Sequence, residues 1–216
     1  MKKEIRKAFA AGLVWMVWFA VWTWLIQTVD VRSAGQSGTR VGFAALNGWF
    51  HAWTGVHMQL YHITDWLGLV PVGICVIFGG VGLTQWIRRK SLTKVDIDLL
   101  LLGGYYIIVI AGYLVFEMLP VNYRPVLIDG RLEASYPSST TLLVLSVMPT
   151  LAFQADRKNA AAKRTLRTAC VLFSVFMVAG RLMSGVHWLT DIVGSLLLSR
   201  GLFGVYRAAV MWSDQR

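Results

Sequence analysis

The chain has 216 residues, 56% of them hydrophobic, with a mean hydropathy of +0.56, a balance that excludes an ordinary soluble domain. A formal charge of +10 would suit nucleic acid, but the basic residues sit in short segments flanking apolar runs, so the charge is a topology signal and no nucleic-acid groove is expected. Cys75 and Cys170 lie in separate apolar runs far apart in sequence, which argues for packing roles and against a disulfide framework or a zinc site.

Met1 to Lys7 is short and basic, and the apolar run from about Ala8 to Val29 is long enough to cross a bilayer. It is longer than a signal-peptide core and lacks a small-residue cleavage site, so it is expected to be a retained helix. Residues 30–40 turn polar. From Val41 to Asp65 the aromatics Trp49, Phe50, Trp53 and Tyr61 alternate with His51, His57 and His62, a mixture suited to short helices at the membrane interface. A second span is expected from about Trp66 to Trp86, ending at Arg88, Arg89 and Lys90 with Lys94 beyond, and a third from about Ile97 to Met118. Tyr105, Tyr106 and Tyr113 are expected between helices, with Gly103, Gly104 and Gly112 permitting close approach. Polar residues return from Pro120 to Tyr136, and a fourth span follows from about Ser138 to Phe153. After the basic block Arg157, Lys158, Lys163, Arg164 and Arg167 come a fifth span, about Thr168 to Met183, and a sixth, about His187 to Val210.

The fold class expected is therefore all-α, a polytopic bundle of six transmembrane helices with short interfacial helices between the first and second spans. No repeat, low-complexity tract or linker divides it, so residues 1–216 are expected to form a single membrane-embedded domain. Segments 1–7, 88–94, 157–167 and 200–216 hold most of the Lys and Arg and fall on one face under this count. The positive-inside rule makes that face cytoplasmic, with both termini on it. Segments 30–65, 119–137 and 184–186 then lie outside. Chain size and charge bias fit a bacterial inner membrane.

Those outer segments carry the residues with chemistry. In the stretch from Gly180 to Asp191, Arg181, His187 and Asp191 recur between two apolar runs. A helix starting near His187 puts Asp191 one turn on and on the same face. A carboxylate there fixes the imidazole tautomer and favours its role as nucleophile or base. Arg181 ends an apolar run, where a guanidinium needs an anion, and its planar fork suits phosphate. Pro137 before an apolar run marks a helix start, and the first-turn N–H groups of such a helix form an anion site.

Tyr123-Arg124-Pro125, then Tyr136-Pro137-Ser138-Ser139-Thr140, then Arg181-x5-His187-x3-Asp191 resembles, in that order, the type 2 phosphatidic acid phosphatase superfamily of integral membrane lipid phosphatases. The resemblance covers about residues 117–195. In that family the motifs read K-x6-R-P, P-S-G-H and S-R-x5-H-x3-D. Here Gly180 replaces the serine of the third, Glu117 stands at the lysine position of the first, and Ser139 and Thr140 stand where the second has glycine and histidine. The resemblance implies that His187 attacks phosphorus and Asp191 orients it. It further implies that Arg124, Arg181, Ser138 and the backbone N–H groups of Ser139 and Thr140 hold the phosphoryl oxygens, with no metal and no cofactor.

The resemblance thus implies a metal-independent enzyme acting on a phosphorylated membrane lipid through a phosphohistidine. Thr140 stands where the family has its general acid, and such help is worth about a hundred- to ten-thousandfold. A diphosphate lipid, whose leaving phosphate needs less help, is therefore expected to suit the site better than a monoester. His51, His57, His62 and Glu117 are the candidates for a displaced acid. A lipid phosphotransferase, or a non-catalytic protein that binds or transports lipid phosphates, are the alternatives.

Overall fold

The computed structural model describes residues 2–157 and 163–215; Lys158, part of the expected basic block, lies outside the described residues. Among the described residues the chain forms eight α-helices and no strand. These are α1 (Lys2–Thr28), α2 (Ala44–Thr54), α3 (Met58–Leu67), α4 (Leu69–Arg89), α5 (Ile97–Met118), α6 (Ser139–Arg157), α7 (Lys163–Met183) and α8 (Leu189–Ser213). The all-helical class is as expected. The expected interfacial segment holds α2 and α3, with Trp49, Trp53 and Trp66 exposed. However, α3 runs into α4 across Gly68, giving one stretch from Met58 to Arg89.

Five stretches among the described residues are long and apolar enough to cross a membrane: α1, Met58–Arg89, α5, α7 and α8. The fourth span expected from the sequence falls on α6, which has the length but is not apolar enough to be counted with them. Its place in the bundle supplies the reason. α6 packs against α4, α5, α7 and α8, and its buried polar side chains meet protein groups instead of lipid. The Tyr106 and Thr150 hydroxyls share a 2.8 Å hydrogen bond, Gln154 donates to the Tyr206 hydroxyl at 2.8 Å, and the Tyr105 hydroxyl donates to the Ser146 carbonyl at 3.3 Å.

The tightest helix pair is α1 against α8, and small residues make it possible. A Cβ on Gly204 would sit 2.7 Å from the Gly12 Cα, and one on Gly12 would sit 2.8 Å from the Val205 backbone nitrogen. Backbones this close maximise packing where apolar lipid gives helices little reason to associate. The close approach expected at Gly103, Gly104 and Gly112 is not where the structure puts it. Gly103 and Gly104 face open space, and a Cβ on Gly112 would only touch Leu198 at 3.9 Å. Tyr105 and Tyr106 are nonetheless buried in the core, with Phe19, Ile26, Leu102 and Leu198.

Tyr136, just before α6, fastens the site loop to this core. Its ring stacks 6.0 Å from Phe19, its hydroxyl bonds Thr23 of α1 at 2.7 Å, and it lies where a Cβ on Gly194 of α8 would be, at 2.3 Å.

Candidate active site

The C-terminal ends of α5 and α7 and the N-terminal ends of α6 and α8 meet at one end of the bundle. Segment 119–138 folds over them as an irregular hairpin, with backbone bonds from Arg124 to the Glu133 carbonyl (3.0 Å) and from Ser135 to the Asn122 carbonyl (2.9 Å). Between α7 and α8 the chain turns through Gly185, whose φ of +69° favours glycine and whose Cβ position lies 2.0 Å from the Gly55 carbonyl oxygen. That turn presents His187. α8 begins at Leu189, so His187 precedes the helix instead of sharing a helical face with Asp191.

Asp191 sits in the first turn of α8 and is fully buried. One carboxylate oxygen, Oδ2, accepts the Trp188 backbone N–H at 2.9 Å, capping the helix, and also a short hydrogen bond from the Ser135 hydroxyl. The other, Oδ1, accepts from Asn122 Nδ2 at 3.2 Å. The direct distance from Asp191 Oδ2 to His187 Nδ1 is 3.9 Å, too long for a hydrogen bond. Ser135 fills the gap: its carbonyl and its hydroxyl oxygen each lie 3.1 Å from Nδ1. A carbonyl only accepts, so Nδ1 carries the proton and Nε2 carries the lone pair. The Nε2 atom is buried without a hydrogen-bond partner among the described residues. Burial, reinforced by the Arg124 and Arg181 charges and opposed by Asp191, pushes the His187 pKa down to about 4. The imidazole is therefore neutral at pH 7, with a lone pair available at Nε2.

The two arginines flank one aromatic ring. The Arg181 guanidinium carbon is 4.8 Å from the centre of Tyr61, and that of Arg124 is 5.9 Å. Arg181 is held through its two Nη atoms, which donate to Thr140 Oγ1 at 2.6 Å, to Asp65 Oδ1 at 3.3 Å and to the Tyr61 carbonyl at 3.4 Å, while its Nε is buried with no partner among the described residues. Arg124 lies 3.1 Å through Nε from Glu133 Oε2, while its Nη1 is buried with no hydrogen-bond partner among the described residues.

A cavity of about 160 Å³ opens beside these groups, lined by Tyr113, Glu117, Arg124, Glu133, Ser139 and His187, among others. Of the residues expected at the site, Arg124, Ser139 and His187 border it. Ser138 does not; its hydroxyl donates to Thr141 Oγ1 at 3.0 Å inside the protein. Thr140 is turned to Arg181, and Asp191 stands behind His187. The first-turn amides of α6, Ser139 and Thr140 included, have no intrahelical acceptor and face this end. Among the candidate displaced acids, His51 donates through Nε2 to the Gly185 carbonyl at 3.1 Å and His57 to the Thr54 carbonyl at 2.9 Å. Neither borders the cavity, and neither does His62; Glu117 does.

Sequence spacing missed Ser135, Asn122, Tyr61, Glu133 and Asn47. Asn47, fully buried on α2, donates to the Thr190 hydroxyl at 3.0 Å and so holds the start of α8. The one sequence-level sign for Ser135 was its position directly before Tyr136-Pro137.

Residues 95–214 match the model of the PAP2 superfamily. No curated protein matches the sequence. Among solved structures, the fold is similar to a transmembrane PAP2-type phosphatidylglycerolphosphate phosphatase from Bacillus subtilis. The TM-score is 0.55 at 17% identity, over 95% of this chain and 98% of that one.

Proposed function

The chain belongs to the PAP2 superfamily of membrane phosphatases, and on that premise we propose that it hydrolyses a phosphate ester or anhydride of a membrane lipid through a phosphohistidine on His187. The observation that carries this reading is the buried, unpartnered Nε2 of a neutral imidazole on a residue that lines a cavity together with Arg124, whose Nη1 is also without a partner among the described residues. In the proposed step the Nε2 lone pair forms the bond to phosphorus while the bond to the leaving oxygen breaks. Positive charge on the ring is offset by Asp191 through Ser135, which holds the Nδ1 proton. Arg124 and the first-turn amides of α6 take the charge on the equatorial oxygens, so the scheme calls on no metal ion. Arg181 supports the site from behind Thr140. Water then cleaves the phosphorus–nitrogen bond.

The reading includes a sixth span, α6, and a cytoplasmic face for both termini. It rests on basic residues at the N-terminus of α1 and the C-terminus of α4, opposite the His187 end of the bundle. In a bacterial inner membrane the cavity would then face the periplasm. The test is release of phosphorus-containing product from a lipid panel by purified protein and by His187→Ala, with trapping of an acid-labile, base-stable adduct. Loss of both signals in the variant is the expected result. A wild-type rate no higher than that of His187→Ala leaves instead the non-catalytic lipid-phosphate binder, which the engagement of Thr140 by Arg181 also permits.

A further inference from the structure

The charge bordering the cavity does not suit a phosphomonoester or a diphosphate. Two carboxylates, Glu117 and Glu133, and one guanidinium, Arg124, line it, while His187 is neutral. The other nearby cation, Arg181, is paired with Asp65 at 3.3 Å and does not border the space. A phosphate dianion brought here meets a lining with a formal charge of minus one. A diphosphate brings more negative charge still. Yet two residues that line the same space, each more than nine-tenths buried, carry a polar atom that has no partner among the described residues and suits a phosphoryl group: His187 Nε2 and Arg124 Nη1. The cavity of about 160 Å³ also exceeds one small group, since a water occupies roughly 30 Å³ of liquid.

Resting on the hydrolase reading above, we propose that the substrate headgroup is a zwitterionic phosphodiester. It carries one negative charge on phosphorus and a primary ammonium two carbons away, the phosphate meeting Arg124 and His187 and the ammonium meeting Glu117. The ammonium also supplies the acid that Thr140 cannot. As His187 Nε2 bonds to phosphorus, the bond to the amino alcohol oxygen breaks with its electron pair going to that oxygen, which takes a proton from the adjacent ammonium. The amino alcohol, now a free amine still held near Glu117, then accepts a proton from the water that attacks phosphorus. The pair of electrons in the phosphorus–nitrogen bond returns to Nε2. The net reaction consumes one water and gives a lipid phosphomonoester and an amino alcohol.

The experiment presents the full-length protein in nanodiscs with four lipids of matched chains: a phosphoethanolamine diester, its N-trimethyl analogue, a phosphomonoester and a prenyl diphosphate. Products are read by phosphorus NMR and mass spectrometry. The ethanolamine diester is expected to turn over fastest. The N-trimethyl analogue, which keeps the charge but has no proton to give, is expected to lose about a hundredfold in kcat. Glu117→Gln should lower kcat/KM for the ethanolamine lipid about fivefold, the size of a partly exposed ion pair. Glu117→Lys should reverse the preference toward the monoester. Faster His187-dependent hydrolysis of the monoester or diphosphate, with or without added magnesium, overturns the zwitterion proposal and leaves the hydrolase reading standing. Equal kcat for the two diesters overturns the proton donor. No turnover of any lipid above His187→Ala overturns the hydrolase reading and this one with it.

Discussion

Near the far end of the bundle from His187, Tyr106 pairs with Thr150 and Gln154 with Tyr206, and Arg157, its Nε apart, is engaged by Asp98 and Asp214 at 2.9 and 2.5 Å. At the His187 end the polar groups are as deeply buried, but the set is left open: His187 Nε2 and Arg124 Nη1 have no partner among the described residues, and both residues border a cavity. Buried polar atoms are costly unless answered. A closed set is therefore architecture, and an open set beside a cavity is held for something that arrives. Breaking the two sets should have opposite signatures.

The largest effect is expected from the open set. His187→Ala should lower turnover at least about a thousandfold, as removal of a nucleophile does. The thermal midpoint in detergent should fall by only a few degrees, the cost of the buried ring and its Nδ1 bond to Ser135, because Nε2 contributes no hydrogen bond to the fold. A large drop in the midpoint together with lost activity would make His187 a structural residue.

Ser135→Ala sharpens the comparison from within the site. Ser135 borders the cavity, and its hydroxyl bridges a histidine and a carboxylate 3.9 Å apart. It is a positioning residue. We expect kcat to fall about tenfold or more with KM little changed, because an interaction realised mainly in the transition state is lost. In a double-mutant cycle with Asp191→Asn, the two effects should be far from additive. Additive effects would mean that Asp191 reaches His187 by another route. Ser135→Thr, which keeps the hydroxyl, should recover part of the loss.

A third effect is read by pH. The unfolded chain takes up the histidine proton at about 6.5, whereas folded His187 does so only at about 4. Between these values the unfolded state binds more protons, so this contribution to stability is complete above about pH 6.5 and is lost as pH falls toward 4. Nitrogen-15 NMR of the ligand-free protein should give His187 a midpoint near 4, and His187→Gln should flatten the acid-side fall in stability. A midpoint near 6.5 would show that the pocket is wetter than its burial implies.

These groups differ in how far the sequence discloses them. His187, Asp191 and Arg181 stand at span ends, where a polar residue next to an apolar run is visible in a single chain, and Arg124 is marked by Pro125 beside it in the polar segment after α5. Ser135, Asn122 and Tyr61 are not visible that way. Ser135 reaches His187 through the register of an irregular hairpin, and Tyr61 meets the arginines because α3 packs on α7. The helical class could be read from hydropathy, but α6 could not be placed by it, because its Ser146, Thr150 and Gln154 are polar toward protein. Gly12, Gly201 and Gly204 form the close contact that Gly103 and Gly104 were expected to make. A glycine in an apolar run shows that backbones can approach there, not which pair does.

The smallest effect tests the closed set. Gln154 donates to Tyr206 at 2.8 Å, and both are buried between α6 and α8. Tyr206→Phe removes the acceptor oxygen and leaves the Gln154 amide unanswered, while the ring keeps its contacts with Tyr105 and Phe203. Hydrogen bonds between membrane helices average only about 0.6 kcal/mol, because the unfolded chain also finds partners in the bilayer. A lowered thermal midpoint of a few degrees is expected, with kcat and KM unaltered. Gln154→Leu with Tyr206→Phe should recover most of the loss, since removing both partners leaves no orphaned group. Were Tyr206→Phe to change kcat instead, the far cluster would be coupled to the cavity through α8, and its hydrogen bonds would belong to the mechanism as well as to the scaffold.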